Sequence, residues 1–279
     1  MKKGRTAVKF RSWMSREPRG AIVLIHGMGA GTERWESLAR YFLAKNISSY
    51  ALSLQGFDGT PGEKGYVDSF ETYHADIKEL FDAARRDVPE GRIFLLGESM
   101  GAVIAFDIAS RLRCHFDGYI LISPAFGSKL KFSPITYLEI MISMAVFPRK
   151  QFRMPFTPQM CTSDSDESDK INKDPAEHRY ATGRLLWEIF KRQVTAPISA
   201  RKIDSKILFL LSMNDEIADP KKSIQIFKKI KSADKTIKTY PGMRHALSVE
   251  AGREKVFEDI LEFCEMDFYS VVARNERSE

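Results

Sequence analysis

The chain has 279 residues, of which 43% are hydrophobic and 29% are charged, an ordinary composition for a globular protein. This length suits one large α/β domain, with or without a modest insertion. The formal net charge is +6, but the basic residues are scattered along the chain, which argues against a nucleic-acid-binding protein. A transient contact with an anionic membrane surface stays open.

Cysteine usage and the N-terminus indicate a reducing compartment. Cys114, Cys161 and Cys264 are too few and too widely spaced for a disulfide framework or a zinc site. Residues 1–20 are basic but lack the apolar core of a signal peptide. Apolar stretches stop well short of the roughly 20 residues that cross a membrane. We therefore expect a cytoplasmic protein.

The first 124 residues alternate between strand-like and helix-like segments. In chain order they are an edge strand at 6–13, a strand at 21–27, a helix at 33–45, a strand at 49–54, a helix at 68–87, a strand at 92–99, a helix at 100–112 and a strand at 118–124. Most of these strands are short, continuous apolar runs, which is typical of strands buried on both faces. The alternation predicts a mostly parallel sheet with helices on both faces.

This alternation stops from about residue 125 to 205. No strand is predicted there, whereas helical patterns cover 135–147 and 181–194, on either side of a very polar stretch at 161–175. The alternation resumes with a strand at 206–212, a helix at 220–230, a strand at 235–242 and a helix at 253–268. We predict one α/β core, residues 1–124 and 206–279, with a mostly helical cap at 125–205.

The most informative motif is Gly-Glu-Ser-Met-Gly at 97–101. A G-x-S-x-G sequence alone is a weak signal. Here it joins a predicted strand to a predicted helix, which is the context of a nucleophile elbow. Gly97 and Gly101 would leave room for the sharp turn that presents the Ser99 hydroxyl. We therefore predict that Ser99 is a nucleophile.

A serine nucleophile needs a base, and the chain offers five histidines. His26 lies well before the serine, His74 falls inside the long helix, and His115 and His178 are expected at the surface. His245 follows a late strand, before the last helix. In enzymes with such an elbow the chain order is serine, acid, histidine, so His245 is the predicted base.

Two aspartates compete for the role of the acid. Asp215 comes directly after the strand at 206–212, whereas Asp219 precedes Pro220 at the start of a helix. An aspartate before a proline in the first helical position is a good N-cap, which explains Asp219 without catalysis. We predict that Asp215 orients the histidine.

The developing oxyanion needs two N–H donors. The backbone of Met100, which follows the nucleophile, is one predicted donor. The second is expected in the Gly-rich loop His-Gly-Met-Gly at 26–29, where we choose Met28.

Together, these motifs resemble the monoacylglycerol lipase and lysophospholipase branch of the α/β-hydrolases. The likeness runs over nearly the whole chain and includes Gly65-Tyr66-Val67, Ser69-Phe70, Tyr73 and Asp76. It implies the α/β-hydrolase fold and a cofactor-free, metal-free esterase acting on a monoglyceride, a lysophospholipid or a simple ester. It also implies the roles given above to Ser99, Asp215, His245, Met28 and Met100.

One segment departs from this branch. Many members carry an Asp-x-Arg-Gly-His-Gly-x-Ser stretch, whereas residues 53–60 read Ser-Leu-Gln-Gly-Phe-Asp-Gly-Thr. We expect this segment to shape the rim of the site and to alter substrate choice. The methionine and phenylalanine residues of the predicted cap suit contact with a flexible acyl chain.

The leading interpretation is a serine carboxylic ester hydrolase acting through an acyl-enzyme. A thioesterase, a peptidase or a C–C hydrolase would use the same triad and stays open. A dehalogenase or epoxide hydrolase would place aspartate at position 99. A non-catalytic ligand-binding protein of this fold is disfavoured because the triad and the oxyanion loop are both present.

Overall fold

The computed structural model describes residues 7–111 and 115–275, with side chains as far as Glu265. Within these residues the strands are β1 (Phe10–Trp13), β2 (Gly20–Ile25), β3 (Ile47–Leu52), β4 (Arg92–Glu98), β5 (Gly118–Ile122), β6 (Gln151–Arg153), β7 (Tyr180–Thr182), β8 (Ile207–Ser212) and β9 (Lys235–Tyr240). Seven of them form one sheet in the order β1-β3-β2-β4-β5-β8-β9. Only the edge strand β1 is antiparallel to its neighbour.

The helices of the described residues are α1 (Glu36–Leu43), α2 (Phe70–Asp87), α3 (Met100–Arg111), α4 (Pro134–Ala145), α5 (Pro158–Cys161), α6 (Ser165–Lys173), α7 (Gly183–Ser199), α8 (Pro220–Lys229) and α9 (Arg253–Asn275). Helices α1, α2, α3, α8 and α9 pack on the two faces of this sheet. Alternate residues of β2 enter different apolar clusters: Val23 packs in one and Leu24 in the other. The predicted α/β-hydrolase architecture, a mostly parallel sheet between two helical layers, is confirmed.

The segment between β5 and β8 holds α4 to α7 and the short strands β6 and β7. The expectation that it contains no strand is wrong, because β6 and β7 pair antiparallel, with Phe152 opposite Ala181. Strands of three residues are too short to show a period of two, and this pairing joins distant residues. The polar stretch at 161–175 contains α6, whose N-terminus is capped by the Asp164 carboxylate.

Two further sequence expectations concern cysteines and membrane spans. Cys161 is a buried free thiol and Cys264 is fully buried, while Cys114 lies outside the described residues. Within the ranges given above, no helix is both long enough and apolar enough to cross a bilayer.

Candidate active site

Ser99 lies in the turn between β4 and α3, with a backbone φ of +59°. A non-glycine residue rarely adopts this conformation, and such strain is typical of a nucleophile elbow. A Cβ on Gly97 would lie 2.2 Å from the carbonyl oxygen of Gly101, and one on Gly101 would lie 2.1 Å from that of Ile25. Both flanking glycines are therefore required by the close approach of the backbone.

The predicted acid and base are in direct contact. The Nδ1 atom of His245 lies 2.7 Å from Oδ2 of Asp215. The other oxygen, Oδ1, accepts hydrogen bonds from the backbone N–H groups of Ile217 and Ala218, both at 2.8 Å. Because the carboxylate is fixed by these bonds, it can hold one tautomer of the imidazole, with Nδ1 donating and Nε2 free to accept a proton.

The environment of His245 favours its charged form. Burial disfavours the imidazolium, but the charge of Asp215 and the hydrogen bond to it outweigh that cost, and the pKa of His245 is raised above its ordinary value. By contrast, Asp219 accepts from the N–H of Lys221 at the start of α8. The structure therefore places Asp215 on the histidine and Asp219 at a helix cap.

The loop at 26–29, predicted to hold an oxyanion donor, lies against the turn of Ser99. A Cβ on Gly27 would approach the Cβ of Ser99 to 3.1 Å. Met28 in this loop and Met100 at the start of α3 both line the cavity into which Ser99 opens. The structure thus brings the two predicted donor residues to the same cavity as Ser99.

The cavity has a volume of about 340 Å³. Ser99 and His245 line it, and Arg34, Glu98 and Cys161 add further polar atoms to its lining. Its walls come largely from the segment between β5 and β8, through Phe132, Tyr137, Ile140, Met141, Met144, Met154, Phe156, Leu186, Ile189 and Phe190. A few polar groups beside largely apolar walls suit an ester group attached to a hydrocarbon chain.

Comparison with known proteins places the chain in a family. Residues 16–252 match the family described as serine aminopeptidase, S33. The chain belongs to this family. It is 28% identical to monoglyceride lipase of Homo sapiens, over 84% of this chain and 77% of that protein. It is 25% identical to phospholipase YtpA of Bacillus subtilis (strain 168), over 88% of this chain and 95% of that protein.

Among solved structures, a soluble variant of monoglyceride lipase from Saccharomyces cerevisiae, in complex with a substrate analog, superposes with a TM-score of 0.84. That match is 24% identical and covers 95% of this chain and 94% of the other. It shows that the fold is shared.

His26 forms structural hydrogen bonds that its position in the sequence did not indicate. Its Nε2 atom accepts from the N–H of Leu54 at 3.2 Å, and Nδ1 lies 2.8 Å from the carbonyl oxygen of Gly27. Burial lowers the pKa of His26 to about 4, so the ring is neutral and Nδ1–H donates. This histidine therefore holds the loop at 26–29 in place beside the end of β3.

Residues 53–60 pack against the loop that carries Met28, and none of them lines the cavity, so the expectation that they shape its rim is wrong. The buried carboxylate of Asp58 accepts from the hydroxyls of Ser53, at 2.5 Å, and Thr32, at 3.1 Å. Thr32 follows the loop that carries Met28, so the segment braces that loop. The reason is the register of β3 and β2, which are parallel and end side by side, with Leu52 opposite Ile25. Residues 53–60 therefore begin next to the loop that follows β2.

His178, which was expected at the surface, is partly buried. Its ring stacks on Phe57, with 5.0 Å between the ring centroids, and Nε2 lies 3.0 Å from the carbonyl oxygen of Gly56. His74 is buried beside Asp107, and His115 is exposed as expected. None of these three lines the cavity that holds Ser99.

Proposed function

We propose that this protein is a serine carboxylic ester hydrolase that acts on single-acyl-chain lipids of the monoacylglycerol type. The observation that carries the proposal is the convergence of an elbow serine and a buried Asp–His pair on one apolar cavity. Relatives named monoglyceride lipase match most of the chain. Lysophospholipids and simple esters are further candidate substrates, because phospholipase YtpA is also a relative.

In the proposed mechanism, His245 Nε2 takes the proton of Ser99 Oγ as that oxygen attacks the ester carbonyl carbon. Asp215 stabilises the imidazolium that forms, and the N–H groups of Met28 and Met100 bind the oxyanion. His245 then gives the proton to the leaving alcohol, and the acyl group stays on Ser99. A water molecule, deprotonated by His245, releases the fatty acid and restores the serine.

We also propose that residues 125–205 act as a cap that selects the substrate. The apolar wall of the cavity comes largely from this segment, through α4 and α7 and the residues around β6. A chain held there would be shielded from water while the ester group reaches Ser99.

The outer face of α4 suggests how a lipid substrate enters. Ile135 is 73% exposed and Leu138 is 61% exposed, next to residues that line the cavity. Lys131, Arg149 and Lys150 are exposed near the two ends of the helix. We propose that this face makes transient contact with an anionic membrane surface on the cytoplasmic side.

The test is a hydrolysis profile with a covalent label. Wild-type protein should cleave monoacylglycerols and p-nitrophenyl esters, and a fluorophosphonate should label one peptide, the one containing Ser99. Ser99→Ala should lose about 10³-fold or more in turnover while remaining folded. Acyl-thioesters and aminoacyl amides complete the panel. A preference for either, or a label elsewhere, would overturn the proposal.

A further inference from the structure

Glu98 is a buried carboxyl group in the candidate active site that the proposed mechanism does not use. It is the last residue of β4, directly before Ser99, and its side chain is 4% exposed. It lines the same cavity as Ser99 and His245. Burying a carboxyl group is costly unless it is hydrogen-bonded. The hydrogen-bond partners of Glu98 therefore indicate why a glutamate occupies this position.

Those partners belong to a single distant residue. Oε1 of Glu98 accepts from the backbone N–H of Ser248 at 3.2 Å, and Oε2 accepts from the Ser248 hydroxyl at 2.9 Å. Ser248 is fully buried in the short helical turn Leu247–Val249, three residues after His245. One side chain thus connects the nucleophile strand to the loop that carries the base.

The other charged and titratable groups near Glu98 have partners or properties of their own and form no hydrogen bond to Glu98 comparable with that of Ser248. Arg34 is engaged in two hydrogen bonds to Glu177, at 2.7 and 2.8 Å, and His245 is bound to Asp215. Cys161 is a buried thiol whose pKa is raised by burial to about 11. Burial also raises the pKa of Glu98. The Ser248 pair is therefore the contact through which Glu98 can fix the geometry of the site.

We propose that Glu98 is a positioning residue that holds the loop of His245 at the correct distance from Ser99. This inference rests on the proposed function. Because Glu98 adjoins Ser99 in the chain, its two bonds to Ser248 set the distance between nucleophile and base. A displacement of about 1 Å between such groups costs on the order of 100-fold in rate.

The test compares Glu98→Ala with Glu98→Gln on a soluble short-chain p-nitrophenyl ester. Glu98→Ala should lower kcat by roughly 10- to 100-fold with little change in KM, and should slow fluorophosphonate labelling of Ser99 to a similar degree. Glu98→Gln should recover most of the activity, because its amide oxygen can accept from the Ser248 N–H and its amide group can donate to the hydroxyl. A merely structural role would not separate kcat from KM in this way.

Ser248→Ala provides a second, milder variant. It should lower kcat a few-fold in the wild-type background and have no further effect in the Glu98→Ala background, since the two residues act as one unit. Glu188→Gln is the matched control. Glu188 is an equally buried glutamate on α7 that binds Arg192 and Lys191, and its substitution should leave the labelling rate of Ser99 unchanged.

The outcomes separate this inference from the proposed function. If the wild-type protein is not labelled at Ser99, the proposed function fails. If it is labelled, but Glu98→Ala is labelled equally fast, or Glu98→Gln is no more active than Glu98→Ala, the positioning role is overturned.

Discussion

Asp215 and Asp219 lie four residues apart in one turn, yet their carboxylates bind different groups. Asp215 holds the imidazole of His245, while Asp219 caps α8. We expect Asp215→Asn to lower kcat by several orders of magnitude, because an amide stabilises the wrong tautomer and lacks the charge that balances the imidazolium. Steady-state kinetics on a p-nitrophenyl ester measures this effect. Asp219→Asn is the matched control and should retain nearly full activity, since asparagine caps helices well. The reverse ranking would move the acid to Asp219.

The protonation of His245 should set the acid limb of the pH profile. Catalysis needs a neutral imidazole, and the pKa of His245 is raised above its ordinary value of 6.5. Activity should therefore fall as pH decreases, with the midpoint of kcat/KM above 6.5. A profile from pH 5 to 9 at constant ionic strength tests this. A midpoint at or below 6.5 would contradict the net effect assigned to Asp215.

Single residues differ in how far the sequence could predict them. Ser99 and His245 occupy positions defined by local motifs and chain order, so their proximity to one cavity could be predicted. Glu98 and Ser248 interact across 150 positions, and no local pattern marks that pair. Likewise, His26 looked like an ordinary loop residue, because its role depends on the backbone of Leu54, which a different strand places beside it.

At the scale of elements, the parts of the segment 125–205 attach to the core in different ways. The C-terminal end of α5 is bonded to the His245 loop: Ala246 N–H donates to the Cys161 carbonyl at 2.8 Å, and the Thr162 hydroxyl donates to the Val249 carbonyl at 2.9 Å. Helix α7 is bonded to α3 by a buried ion pair between Arg192 and Asp107 at 3.1 Å. Removal of the whole segment would therefore strip part of the core, so α4 is the better target.

Replacement of 134–147 by a Gly/Ser linker of equal length should flatten the dependence on acyl-chain length. Each methylene buried against the apolar wall contributes roughly 0.8 kcal/mol, or about a fourfold gain in kcat/KM per carbon. The linker removes Tyr137, Ile140, Met141 and Met144 from that wall. A series of p-nitrophenyl esters from C2 to C16 measures the slope. Cleavage of the acetate ester and the circular dichroism spectrum serve as controls. An unchanged slope in a folded variant would place the acyl pocket outside α4.

At the scale of the whole molecule, the sheet was the most predictable feature. Continuous apolar runs separated by helical patterns indicate parallel strands buried on both faces, and β2 and β8 are fully buried along their length. The small sheet of β6 and β7 was not predictable, because pairing between distant short segments leaves no local period. The position of α4 over the cavity could not be predicted either. An apolar helix has the same sequence pattern whether it faces a core, a ligand or a lipid surface.

The exposed face of α4 leads to a prediction about the whole molecule on a membrane. Ile135 and Leu138 do not line the cavity, so Ile135→Ser combined with Leu138→Ser should spare hydrolysis of a soluble ester. Binding to phosphatidylglycerol vesicles should weaken at least tenfold, since burial of each large aliphatic side chain contributes roughly 1.5–3 kcal/mol. Vesicle sedimentation measures this loss.

Phe10→Ser with Met14→Ser is the matched control, because these side chains are 44% and 53% exposed near the edge strand β1. The net charge of +6 predicts weaker binding to phosphatidylcholine vesicles and at high salt. Equal binding by the α4 variant and the wild type would show that lipid reaches Ser99 without this face.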